Sequence, residues 1–132
     1  MELRVPGDKS ISQRALIMAT LSTGTSRIRG LLAEGDPAST AEALRGLGSP
    51  IPDLVTAGSE LTFQGLGLRG LVTPSRPLDL ENSGTGARLL LGVLAGQPVE
   101  AVVTGDASLR KRPMARITDP LSKMGARFQP LE

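Results

Sequence analysis

Three stretches of the chain concentrate side chains and backbone able to hold an anion: PGDKSISQR (6–14), ENSGTGAR (81–88) and GDASLRKRPMAR (105–116). Lys9 and Ser10 stand where a glycine-containing turn becomes a helix N-terminus, a place where free backbone N–H groups and the helix dipole favour negative charge. Arg14 follows one turn on, at i+4 from Ser10. Asn82, Ser83, Gly84 and Thr85 put capping side chains and an unhindered backbone at a second strand-to-helix junction. In the third stretch Arg110 and Lys111 read as a solvated charge run. Arg112, constrained by Pro113, can instead grip a carboxylate or phosphate through two parallel bonds. Plainer readings exist for each: Ser10 as a cap with Lys9 and Arg14 in solvent, and Asn-Ser-Gly-Thr as an ordinary helix start. The first stretch is not a P-loop, because Asp8 separates Gly7 from Lys9 and the upstream glycine is missing.

Composition narrows the chemistry. There is no Cys and no His, which removes disulfides, thiol nucleophiles, imidazole acid–base chemistry and the usual zinc ligands. Reactions must run on Lys, Arg, Asp, Glu or hydroxyls. A formal charge of +2 with interspersed signs, and Phe63 and Phe128 as the sole aromatics, argue against a nucleic-acid partner. No apolar signal stretch opens the sequence and no run nears the roughly 20 apolar residues that span a bilayer, so the expectation is a cytoplasmic chain without membrane contact. At 132 residues and 39% hydrophobic, one domain with an aliphatic core is expected, helices covering a sheet.

The elements that must carry these groups are read from periodicity. Residues 2–5 (ELRV) are expected as a strand, Ile11–Leu21 as a helix stopped by Gly24, and 25–29 as a strand. Asp36 is expected as an N-cap, with Pro37 at the first position of a helix running to Gly48. Strands at 51–56 and 60–64 joined by a Gly58 turn complete the first unit, and 65–77 (GLGLRGLVTPSRP) reads as a linker. The pattern then restarts: a helix in NSGTGARLLLGVLAG, a strand in VEAVVTG, a helix in PMARITDPLSKMG that Pro120 kinks or delays, and a strand in ARFQPL. Arg14 matches Arg88 at a separation of 74 residues, and LRGLG (44–48) matches LSKMG (121–125) at 77. The fold expected is α/β, an internal repeat of βαβαββ units, with 1–64 a complete copy and 78–132 a copy that stops one strand early. A chain that stops inside a repeat reads as a piece of something longer.

PGDKSISQR, NSGTGARLL and GDASLRKRPM, in this order and spacing, closely resemble the 5-enolpyruvylshikimate-3-phosphate synthases (3-phosphoshikimate 1-carboxyvinyltransferases), over essentially all 132 residues. The resemblance implies a two-lobed enzyme, each lobe built of three βαβαββ units, with its substrates in the cleft between them. The implied reaction transfers the enolpyruvyl group of phosphoenolpyruvate to the 5-hydroxyl of shikimate 3-phosphate, on the route to chorismate and the aromatic amino acids, without metal or organic cofactor. Carried over by motif, Lys9 contacts both substrates, Ser10 and Arg14 hold shikimate 3-phosphate, Gly84 lets its backbone approach phosphoenolpyruvate, and Arg112 binds that ligand's negative groups. Asn82 and Thr85 shape the turn. Glyphosate is the implied inhibitor of the phosphoenolpyruvate position.

The resemblance also places the proton-transferring Asp and Glu beyond residue 132 and assigns residues 2–5 to the opposite lobe. The implied partner is therefore a complementary C-terminal portion, and the isolated chain is expected to be inactive. Two positions depart from the family pattern: Gln13 stands where relatives often have His, and Glu81 where many have Gly, adding negative charge beside an anion site. Two rival readings remain. One is the related enolpyruvyl transferase acting on a UDP-sugar, disfavoured by the missing Cys and the KRPM sequence. The other is a noncatalytic anion-binding or interaction module that keeps the fold.

Overall fold

The computed structural model describes residues 1–3, 5–54 and 60–131. In chain order the elements are α1 (Lys9–Leu21), β1 (Thr25–Arg29), α2 (Asp36–Gly46), β2 (Glu60–Gln64), β3 (Leu78–Asp79), α3 (Gly84–Ala95), β4 (Val103–Thr104), a 3-10 turn (Leu109–Lys111) and α4 (Ala115–Lys123). The order helix, strand, helix thus occurs twice, as α1-β1-α2 and as α3-β4-α4, matching the repeat in the sequence. β1 and β2 pair antiparallel from Thr25↔Gln64 to Arg29↔Glu60. β3 and β4 pair parallel, Leu78 with Val103.

A single aliphatic core joins the two copies. Leu16 of α1, Leu44 of α2, Leu80 after β3 and Leu90 of α3 are fully buried in one cluster. Each such leucine contributes roughly 1.5–3 kcal/mol through burial, so the three helices are held together chiefly by this seam. Segment 65–77 has no regular structure, but its first half is bonded down: Leu66 N–H donates to Thr20 O (2.7 Å) and Val72 N–H to Leu47 O (3.0 Å). Leu71 is buried between them.

Several expectations are corrected. Glu2, Leu3 and Val5 form no strand, and Arg4 lies outside the described residues. With Leu3 78% and Val5 85% exposed, no sheet among the described residues takes them up. Residues 51–54 are irregular, while the rest of that expected strand and the Gly58 turn fall outside the described residues. β4 is only two residues long because its one neighbour, β3, is equally short. Residues 126–131 are likewise not a strand, for want of a neighbouring strand among the described residues. α4 starts at Ala115 and runs through Pro120, which has no N–H to return to Arg116. At α2 the N-cap is Gly35, whose φ of 64° suits glycine, and Asp36 is the first helical residue.

Candidate functional site

The helix starts repeat at the level of single hydrogen bonds. Asp8 caps α1, its Oδ1 accepting from Ile11 N–H at 2.7 Å, so Ser10 is not the cap. Ser83 caps α3 in the same way, its Oγ accepting from Gly86 N–H at 3.0 Å. One turn on, Arg14 Nη1 donates to Ser10 O (3.0 Å) and Arg88 Nη1 donates to Gly84 O (3.3 Å). The 74-residue match is therefore structural: each copy offers a capped helix start with an arginine folded back over it.

Gln13 draws these starts together. It is fully buried, and its Nε2 donates to Ser83 Oγ (2.7 Å) and Thr40 Oγ1 (3.0 Å) and approaches Asp36 O (3.5 Å). One side chain of α1 thus reaches the beginnings of α2 and α3. Its own Oε1 is buried and has no hydrogen-bond partner among the described residues. Lys9 joins α1 to α2 a second time, with Nζ 3.0 Å from Asp36 Oδ2 and about half of its side chain exposed.

The third stretch closes over the second. Arg112 sits in extended backbone (φ −77°, ψ 134°), as a residue before proline should. Its Nη2 donates to Asn82 Oδ1 at 2.6 Å. A methyl group built on Gly84 would lie 2.6 Å from Arg112 Nη1 and 3.0 Å from Arg88 Nη1. Gly84 has no positive φ, so what its missing side chain provides is room beneath two guanidinium groups. Asn82 Nδ2 donates in turn to Asp106 Oδ2 (2.7 Å), and Asp106 Oδ1 accepts from Leu109 N–H (2.7 Å). The Asn82 hydrogen bond, then that of Leu109, hold the Asp106 carboxyl below the ordinary carboxylate range.

Of the residues singled out by sequence, Lys9, Ser10 and Arg14 lie on the first turns of α1, and Gly84 and Thr85 open α3. Asn82 and Arg112 bond to each other across 30 residues, and Arg110 and Lys111 are exposed. Sequence reasoning missed Asp36 as the partner of Lys9, Gln13 and Thr40 as the link between helices, and Asp106 behind Asn82. The repeat flagged Arg88 without giving it a role. Among the described residues no three or more carboxylates gather so as to hold a metal ion, and no helix is long and apolar enough to cross a membrane.

Glu81 shows why a glycine would be favoured at its position. Its φ of 51° is left-handed, while its N–H donates to Asp79 Oδ1 (2.8 Å) and its carbonyl accepts from Asp106 N–H (2.7 Å). Relieving about 1–2 kcal/mol of left-handed strain, less about 0.5–1 kcal/mol for the freer unfolded chain, makes Glu81→Gly stabilising by up to about 1.5 kcal/mol. Urea denaturation should show the higher midpoint. A lower one would mean that the glutamate side chain supports the turn.

A family model described as EPSP synthase (3-phosphoshikimate 1-carboxyvinyltransferase) matches residues 1–132. A 3-phosphoshikimate 1-carboxyvinyltransferase of Rhodopseudomonas palustris (strain TIE-1) is 53% identical over 124 residues, 94% of this chain and 27% of that protein. One from Alkaliphilus metalliredigens (strain QYMF) is 54% identical over 125 residues, 95% of this chain and 29% of that protein. The solved EPSP synthase from Acinetobacter baumannii aligns with a TM-score of 0.87 at 43% identity, covering 98% of this chain and 29% of that one. The chain thus spans little more than a quarter of the length of these relatives. Matched by the family model from its first residue to its last, and in fold by a solved relative, the chain belongs to the EPSP synthase (3-phosphoshikimate 1-carboxyvinyltransferase) family.

Proposed function

We propose that the chain supplies part of the substrate site of a cytoplasmic enzyme that transfers the enolpyruvyl group of phosphoenolpyruvate to the 5-hydroxyl of shikimate 3-phosphate, releasing phosphate. In this reading Lys9, Ser10 and Arg14 at the start of α1 hold shikimate 3-phosphate. Lys9 also faces phosphoenolpyruvate, and Arg112 takes that ligand's negative groups above the bare backbone of Gly84. Asn82 and Thr85 support the turn. The observation that carries the reading is the Arg112 guanidinium lying over Gly84 at a capped helix start that Gln13 ties to the start bearing Lys9. Positive charge fixed in advance is what a reaction between two anions needs, because no reorganisation then opposes the charge that develops.

The same reading places the proton-transferring Asp and Glu in a complementary C-terminal portion outside these 132 residues. Phosphate release dependent on both substrates is therefore expected from the chain joined to such a portion, and none from the 132 residues alone. The assay needs a preparation shown to be free of host synthase. Turnover by the 132 residues alone overturns the division of labour. A joined protein that binds both anions without turnover would instead favour the noncatalytic module.

A further inference from the structure

Behind Arg112 lies a charged group that the substrate assignments leave unused. Asp106 is 24 residues from Asn82 in sequence, yet its two carboxylate oxygens have divided tasks: Oδ1 accepts from Leu109 N–H at 2.7 Å and Oδ2 accepts from Asn82 Nδ2 at 2.7 Å. The Asn82 amide can face only one way under this arrangement. With its N–H group given to Asp106, its Oδ1 points to Arg112 Nη2 at 2.6 Å. Two further bonds brace the carboxylate from the backbone, Asp106 N–H to Glu81 O (2.7 Å) and Arg110 N–H to Asp106 O (3.0 Å). The chain Asp106, Asn82, Arg112 thus runs from a fixed loop to a guanidinium above Gly84.

We propose that Asp106 is the positioning residue for Arg112, acting through the Asn82 amide to hold the guanidinium in place for an anionic carboxylate or phosphate ligand. The inference rests on the proposed function for the identity of that ligand, but the positioning itself does not. An arginine on a free side chain loses rotamer freedom when it grips an anion, and one already held loses less. Asp106 also opposes the positive charge of Arg112, which helps keep the guanidinium near Asn82. The carboxyl, held low by the Asn82 and Leu109 hydrogen bonds, is charged at neutral pH.

Asp106→Asn separates this role from simple capping. The new side chain keeps an oxygen for Leu109 N–H but turns an NH2 group towards the Asn82 NH2, which breaks the relay and leaves the Leu109 N–H bonded. The order of the Arg112 Nε–H group, read by the 15N heteronuclear NOE in the 132-residue chain, should fall in Asp106→Asn and be largely restored in Asp106→Glu. Protection of the Gly86 amide reports whether the start of α3 survives. Calorimetry on the chain joined to a complementary C-terminal portion, with phosphoenolpyruvate and separately with inorganic phosphate, should show about tenfold weaker binding by Asp106→Asn. An unchanged NOE overturns the proposal whatever the binding data show, as does loss of Gly86 protection together with Arg112 order in both variants. If neither anion binds the joined protein without the substitution while the NOE responds as expected, positioning stands and the proposed ligand fails.

Discussion

Gly86→Ala is expected to lower the stability of the chain by about 2–6 kcal/mol. A methyl group built there would lie 2.7 Å from Ser83 Oγ, 2.8 Å from Thr40 Oγ1 and 3.0 Å from Gln13 Nε2. Ser83, Thr40 and Gln13 are all buried, and their hydrogen bonds join α1, α2 and α3. The methyl must push these groups apart, so overpacking of about 1–3 kcal/mol adds to about 1–3 kcal/mol for buried polar groups left without partners. Two residues earlier, the same substitution meets different neighbours. Gly84→Ala touches the ends of two arginine side chains, which can swing into solvent, and should cost less than about 1 kcal/mol while displacing Arg112 from the proposed phosphoenolpyruvate position. Urea denaturation and calorimetry on both variants check the contrast. A Gly86→Ala midpoint close to that of the unaltered chain would show that the polar link is loosely packed. An unfolded Gly84→Ala would remove the case for Gly84 as ligand space.

Lys9→Met is expected to weaken shikimate 3-phosphate binding by about 1.5–3 kcal/mol, roughly tenfold to more than a hundredfold. In the structure Lys9 is engaged by Asp36, but the pair is solvated, with side chains 54% and 25% exposed. An exposed ion pair contributes about 0–1 kcal/mol, less than the charged hydrogen bonds a phosphate offers, so the ligand can recruit Lys9 from Asp36. Removing the lysine also leaves Asp36 uncompensated beside the incoming anion, which adds to the loss. Arg110→Ala, at an exposed residue of the 3-10 turn, should change little. Calorimetry on the chain joined to a complementary lobe decides between them. Equal losses from the two substitutions would return Lys9 to the solvent-facing charge that the plainer reading makes it.

The sequence by itself determined the helices, the repeat and the groups able to hold anions, because these depend on neighbours in the chain. Apolar residues at helical spacing, proline at a helix start and glycine beyond a helix end act within a few residues, and α1, α2 and α3 follow them closely. The strands were less legible. A strand exists only through its partner, and residues 2–5 and 126–131 carry strand-like patterns with no such partner among the described residues. Tertiary structure alone decided how the three stretches proposed to hold anions meet. Gln13 reads locally as one more polar residue on an amphipathic helix, yet it is the buried link to residues 27 and 70 positions away. Asp106 reads as a turn residue, and only the close approach of its loop to Asn82 places it behind Arg112. Hydrogen bonds between groups so far apart in sequence depend on the packing of the leucine core, which no local pattern of residue types records.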